Sequence, residues 1–202
     1  MKFMRILLPI TICCVAIVGD YIVLKCKYSE SFLFRAISDN TVHALIGMLS
    51  AMLFMDGIDL TKQAYFYNVA FCTIISSFID LDHFLVAKSV YIKDLMSLKE
   101  RGIFHCTTLW LLITLVLLLY SYIYQKLNIY LLTYMITIAY TSHHIRDSTR
   151  RGIWLYPFGH TVPLNKYLYI FVTATLPLVL SYLHQCYKPG SKNTNIHYSM
   201  LV

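Results

Sequence analysis

The sequence predicts an all-α protein, a multi-pass transmembrane helical bundle of five or six spans. Three observations predict it. Of its 202 residues, 58% are hydrophobic and only 13% charged, about half the charge of an ordinary soluble domain. The apolar residues gather into runs near the ~20 residues that a helix needs to cross a bilayer. No repeat of 20–50 residues and no Gly-, Ser- or Pro-rich linker divides the chain. Residues 1–187 therefore read as one membrane domain, followed by a polar tail at 188–202.

The expected spans lie near 4–24, 42–59, 64–84, 106–125, 127–145 and 166–186. The first has Lys2 and Arg5 ahead of an apolar core, as a secretory leader would. It lacks a small-x-small cleavage site and more apolar runs follow, so it reads as a span. The second is the weakest, since its uncharged core covers only residues 40–55. The third follows Lys62 with an uncharged run over 63–79. The fourth (106–125) and the stretch 167–187 carry no Asp, Glu, Lys or Arg at all. The fifth ends in the polar run Ser142-His143-His144-Ile145-Arg146-Asp147.

Six spans put both termini on one side of the membrane. That side collects Lys2, Arg5, Lys62, Lys126, Lys188 and Lys192, while the other eleven basic residues fall on the opposite side. By the positive-inside rule the opposite side is cytoplasmic, and both ends are expected on the non-cytoplasmic side. The net charge of +7 is spread thinly between apolar runs. That pattern suits loops held at a lipid surface and argues against a nucleic-acid partner. Six cysteines, at 13, 14, 26, 72, 106 and 186, form no CxxC and no disulfide framework.

Against this apolar background some polar residues stand out. Asp80, Asp82 and His83 sit in the run Ser77-Phe78-Ile79-Asp80-Leu81-Asp82-His83-Phe84. A carboxylate facing hydrocarbon at a helix centre costs about 2.5–3.5 kcal/mol, so a cavity, a cationic partner or a metal ion is expected to compensate. With six spans, Asp20 lies near the end of the first, His43 opens the second and Asp80, Asp82 and His83 close the third. His105 precedes the fourth, and His143 and Asp147 close the fifth. All fall at the same membrane face, where random scatter would have divided them.

Imidazole nitrogen and carboxylate oxygen are ligands for zinc and similar divalent ions. His143 and Asp147 are four apart and share one helix face, as do Asp80 and His83 at a spacing of three. Asp82 is offset by two. Either the helix frays there, or Asp82 steadies a neighbouring ligand. Arg101, with Arg150 or Arg151 beside it, offers forked hydrogen bonds to a phosphate. Taken singly, each of these has a plain reading as a helix cap, a headgroup-level loop or a topology signal. The shared face is what joins them.

The order of motifs resembles a known family. His43, then Asp80-Leu81-Asp82-His83, then Arg101-Gly102-Ile103-Phe104-His105, then Ser142-His143 with Asp147, then Gly152 and Pro157-Phe158 are similar to the bacterial YdjM-like family of LexA-regulated inner-membrane proteins. The chain as a whole looks like the eukaryotic multi-pass transmembrane protein 267 family. The resemblance covers about residues 40–160. It implies a membrane-embedded His/Asp metal centre of hydrolase type, because the family's His and Asp pattern resembles that of zinc-dependent phospholipase C. By position the implied ligands are His43, Asp80, Asp82, His83, His105, His143 and Asp147. Where the family usually reads HRGxTHS, this chain has Glu100-Arg101-Gly102-Ile103-Phe104-His105-Cys106. The first His is replaced by a carboxylate, and two hydroxyl side chains are lost.

Two functions follow from different classes. In the first, the chain is a metal-dependent hydrolase of a lipid-borne or membrane-associated phosphoester. A divalent metal, zinc by preference, is held by His43, Asp80, His83, His105, His143 and Asp147. Asp82 or Glu100 acts as general base and Arg101 steadies the phosphate. In the second, the chain is a non-enzymatic structural or interaction protein whose polar cluster fixes helix register. A transporter fits less well, since its ionisable groups belong near the midplane and within inverted repeats. The lipid bilayer is the partner in every case.

Overall fold

The computed structural model describes residues 3–187 except Ser97 and Lys99; the expected polar tail 188–202, Lys2 and Lys99 lie outside the described residues. Among the described residues the chain forms eight α-helices: α1 (Met4–Lys25), α2 (Phe32–Met55), α3 (Lys62–Phe78), α4 (Asp82–Ala87), α5 (Ile92–Met96), α6 (Thr107–Ile123), α7 (Leu127–Arg151) and α8 (Lys166–Cys186). Strand pairing among them is limited to one isolated bridge, Trp154 to His160. Side-chain caps start three of the helices. Ser31 accepts from the Phe34 N–H, Thr61 from the Ala64 N–H and Asn165 from the Tyr167 N–H.

The protein is an all-α, multi-pass membrane bundle. Met4–Lys25, Phe32–Met55, Lys62–Ala87 and Lys166–Cys186 are long and apolar enough to cross a membrane, and Thr107–Ile123 is a shorter apolar helix. Their outer faces carry large apolar side chains, among them Ile10, Val18, Ile74, Leu112 and Phe171. Helix α7 is the exception in composition and the centre in space. It packs against α2, α3, α6 and α8, while α1 is joined to α2 and α8. Shielding by four neighbours is what lets α7 carry His143, His144, Arg146 and Asp147 in its last turns.

Among the described residues the core has three apolar clusters and one polar end; Val42, Ile46, Ile145, Tyr169 and Ile170 belong to one of the three. Phe54, Met55, Tyr134, Met135 and Ile138 fill the second, and Leu8, Ile12, Leu49, Leu53 and Ala174 fill the third. Gly47 allows α2 and α3 to touch, since a Cβ there would sit 2.0 Å from Ser76 Oγ. Two expected boundaries shift at the polar end. The second stretch, 42–59, lies in a helix that begins ten residues earlier, at Phe32, and stops at Met55. The fifth, 127–145, continues to Arg151. In both cases charged residues that looked like loop signals are paired inside the bundle, so the helix runs on through them.

Candidate metal centre

Four side chains from three places in the chain point at one spot. Between α3 and α4 the backbone tightens into a 3-10 turn over Ile79–Leu81. That turn aims Asp80 inward and resolves the awkward spacing of Asp82. A second 3-10 turn, Ile103–His105, delivers His105 just ahead of α6. The i,i+4 spacing on α7 stacks His143 over Asp147.

The resulting distances are even. His105 Nε2 lies 3.3 Å from His143 Nε2, 3.6 Å from Asp80 Oδ1 and 3.4 Å from Asp147 Oδ2. His143 Nε2 lies 3.5 Å from each of those same two carboxylate oxygens. All four ligand atoms are within 4.8 Å of one another. In a tetrahedron the edge is about 1.6 bond lengths, so bonds of about 2.0–2.2 Å to zinc need donors about 3.3–3.6 Å apart. Five of the six edges fall in that window, and two imidazoles with two carboxylates are a suitable donor set. The residues fit a divalent cation.

Both imidazoles are held in the tautomer that a metal needs. His143 Nδ1 donates to the Ser76 carbonyl at 2.8 Å, which leaves Nε2 as the lone pair facing inward. His105 Nδ1 donates to Asp82, whose oxygens lie 3.0 and 3.1 Å away. This is the carboxylate–histidine arrangement that orients metal ligands. Asp82 is itself fixed by the Phe104 N–H at 3.0 Å and has no exposed surface. A Cβ at Gly102 would lie 2.2 Å from the Asp82 carboxyl carbon, which is why glycine stands in the Arg101-Gly102 pair.

The electrostatics ask for a positive charge at the centre. Burial disfavours the imidazolium of His105, but hydrogen bonds to Asp147, Asp80 and Asp82 outweigh it and push its pKa up to about 11. A proton on His105 thus does what a cation would do, balancing carboxylates that converge from α7 and the Asp80 turn.

The other expected residues are placed differently. His43 is not among the four converging ligands. It stacks on His143 with ring centroids 3.7 Å apart and meets the other oxygen of Asp147 at 3.4 Å. Its geometry is that of a wall beside the centre, set by its place on α2. His83 stands one contact further out, with Nδ1 3.7 Å from Asp80 Oδ1 and 34% of its side chain exposed. Asp82, offered by the sequence as a base, is instead spent on His105 and Phe104. Glu100, the other candidate base, is exposed and lines a separate surface cavity with Arg101, Arg151, Trp154 and His160. Arg101 donates to the Gly152 carbonyl at 2.9 Å and remains on the rim of a cavity of about 150 Å³. That cavity also reaches Arg35, Arg150 and Arg151, and its floor is Asp80, His105 and Asp147.

Several residues were not singled out by the sequence reading. His144, next to a candidate ligand, turns the other way. It meets Thr107 Oγ1 at 2.8 Å and the Phe104 carbonyl at 3.0 Å, pinning the His105 turn to α7. Trp110 Nε1 donates to the same carbonyl at 2.6 Å. Arg146, counted as a surface charge, is buried. It pairs with Asp39 at 2.6 Å and Asp20 at 3.4 Å and donates to His43 Nε2 at 3.0 Å. Arg150 grips Asp39 with two bonds of 2.8 Å. The Tyr169 hydroxyl donates to Asp20. With Arg146 and Arg150 spent internally, nine of the eleven basic residues on the expected cytoplasmic side remain as topology signals against six on the other. The sequence signals for this second group were Asp20, an acid near the end of an apolar run, and Arg150, which was expected at a phosphate and is instead bound to Asp39.

Comparison with known proteins places the chain among membrane proteins. The family described as YdjM inner membrane protein matches residues 39–202. The chain is similar to transmembrane protein 267 of Xenopus laevis, 42% identical over 151 residues that cover 73% of this chain and 67% of that protein. The Danio rerio protein of that name is 44% identical over 151 residues, covering 74% and 66%. The Mus musculus protein is 37% identical over 161 residues, covering 79% and 73%. The match thus spans about two thirds of the length of the first two. No solved structure matches.

Proposed function

The chain belongs to the YdjM inner membrane protein family, and from that premise we propose that it is a metal-dependent hydrolase of a phosphoester held at the membrane. The observation that supports this most is the spacing of 3.3–3.6 Å among the ligand atoms of Asp80, His105, His143 and Asp147. Those four residues hold the cation, and zinc suits the set. When bound, such an ion supplies Lewis acidity and a water acidic enough to attack at neutral pH.

The chain's own residues do the rest. His143 closes the floor, fully buried, while Asp80, His105 and Asp147 face the cavity where a phosphate approaches. Asp82 orients His105 rather than acting as base. Arg101 and Arg151 on the rim hold the phosphate oxygens. Arg150 is committed to Asp39 and shapes the wall. His83, partly exposed beside Asp80, is positioned to give a proton to the leaving group. Glu100 takes no part in the proton transfer.

The test is elemental analysis of detergent-purified protein joined to thermal unfolding. Wild type is expected to carry about one equivalent of a divalent metal, and Asp80→Ala and His143→Ala to lose it. A ligand present at 100 times its Kd stabilises by about 2.7 kcal/mol, so a chelator should lower the melting temperature of wild type and leave both variants unmoved. Metal-free wild type with a chelator-insensitive melt would overturn the proposal and leave the cluster as helix-packing polarity.

A further inference from the structure

The polar cavity over the metal centre does not end at its arginines. A second cavity, of about 250 Å³, adjoins it, and the two share Asp39, Asp80, His83 and Leu95 as common walls. The character changes across that seam. On the far side the lining is Leu33, Ile37, Leu81, Phe84 and Ile92, from α2 and the α4–α5 segment. Leu33, Ile37 and Phe84 are 52%, 59% and 41% exposed, so apolar surface stands open directly beside a charged site. Ile37 in turn forms the edge of a lipid-level groove of about 410 Å³ between α1 and α2, lined by residues such as Val18, Ile22 and Leu45.

A free inorganic phosphate or a sugar phosphate makes no use of such a lining. An amphiphile uses both halves: its anion lies under Arg101 and Arg151, and its hydrocarbon leaves sideways toward the bilayer. Resting on the metal-centre reading above, we infer that the cavity between α2 and the α4–α5 segment is a subsite for a single hydrocarbon chain of a phosphate-bearing amphiphile. Its continuity with the charged cavity at Asp80 and His83, and with the lipid-facing groove at Ile37, commits it to that occupant. A cavity of about 150 Å³ holds the six carbons of benzene, so by the same measure 250 Å³ takes roughly ten carbons of one chain. Ala36, on the same wall, has only its methyl group there and leaves the space open.

The experiment titrates metal-loaded protein in nanodiscs with non-hydrolysable ethyl-, hexyl-, octyl- and decylphosphonate. Affinity should rise with chain length, by up to about fourfold per methylene where each is fully buried. In Ala36→Phe, which fills the subsite, and in Phe84→Asp, which places a charge at its mouth, the decyl-to-ethyl affinity ratio should fall at least tenfold. Metal content is read in parallel as proof of folding. Equal affinity for ethyl- and decylphosphonate in metal-loaded wild type overturns the subsite and leaves the metal centre standing. A chain-length dependence that survives in both variants shows partition into lipid rather than a subsite, and also overturns it. Wild type that binds no metal overturns the metal centre, and this inference falls with it.

Discussion

Replacing Asp82 with asparagine separates orientation of the proposed metal centre from ligation of it. Asp82 touches no other member of the four-ligand set besides His105, yet both its oxygens lie within 3.1 Å of His105 Nδ1 and one also accepts from the Phe104 N–H at 3.0 Å. Asparagine keeps the shape but removes the charge and one acceptor. A single amide oxygen must then serve two donors, and the amide NH2 faces a ring N–H that it cannot satisfy. Loss of such an orienting partner usually weakens metal binding 10- to 100-fold, or about 1.4–2.7 kcal/mol. Asp82→Ala should behave worse, because the half-buried Phe104 N–H also loses its partner, at a further cost of up to about 1–3 kcal/mol in folding stability. Gly102→Ala tests the same contact from the other side, since its Cβ would sit 2.2 Å from the Asp82 carboxyl carbon and displace it. The assay is competition for zinc against a colorimetric chelator on detergent-purified protein. If Asp82→Asn and Gly102→Ala both bind zinc within twofold of wild type while His105→Ala does not, the orienting role is refuted.

Two further outcomes are expected. Gly47→Ala drives a methyl group into Ser76 and should cost about 1–3 kcal/mol as overpacking between α2 and α3. Because the Ser76 carbonyl holds His143, metal content should fall with it, and Ser76→Gly in the same chain should restore both; a melting temperature equal to wild type in the single variant would contradict the close approach. Arg146→Met takes the buried arginine from Asp20 and leaves Asp39 to Arg150 alone, a loss of at most about 3–5 kcal/mol. Thermal unfolding in detergent should show that deficit and a partial recovery when Asp20→Asn is added, whereas an unchanged melt in Arg146→Met would mean the pairs carry no net stability.

Particular residues mark where the sequence was readable and where it was not. Composition alone exposed α6 and α8, because a charge-free run of 17–21 residues has few destinations other than a bilayer. The convergence of the candidate ligands was half readable for a similar reason: i,i+4 spacing on a helix is local geometry, so His143 and Asp147 were bound to share a face. What separates His43 from His105 is not local. Both are buried histidines at the same end of the bundle, but His105 arrives on a turn with its Nε2 free to point inward, whereas His43 arrives broadside on α2 and can only stack on His143. Nothing in the residues around His43 records that difference, because it depends on how α2 crosses α7.

The same non-local pairing explains the early start of α2 and the late end of α7. Arg146, Asp39 and Asp20 lie 19 to 126 positions apart, and each taken alone argues that a span has stopped. Together with Arg150 they neutralise one another at the end of the bundle, which allows α2 and α7 to continue as helices through the charges. The polar end therefore contains two groups with different needs. The Asp20–Asp39–Arg146–Arg150 group carries its own cations and is balanced as it stands. The Asp80–Asp82–Asp147 group has His105 and His143 set against its carboxylates, with Arg150 at 4.0 Å from Asp147 at its edge. In the latter the donor atoms of Asp80, His105, His143 and Asp147 have the spacing that a cation site would require. The two groups meet at His43, which takes a hydrogen bond from Arg146 and touches Asp147, so the balanced group serves as a wall against which the candidate metal ligands are set.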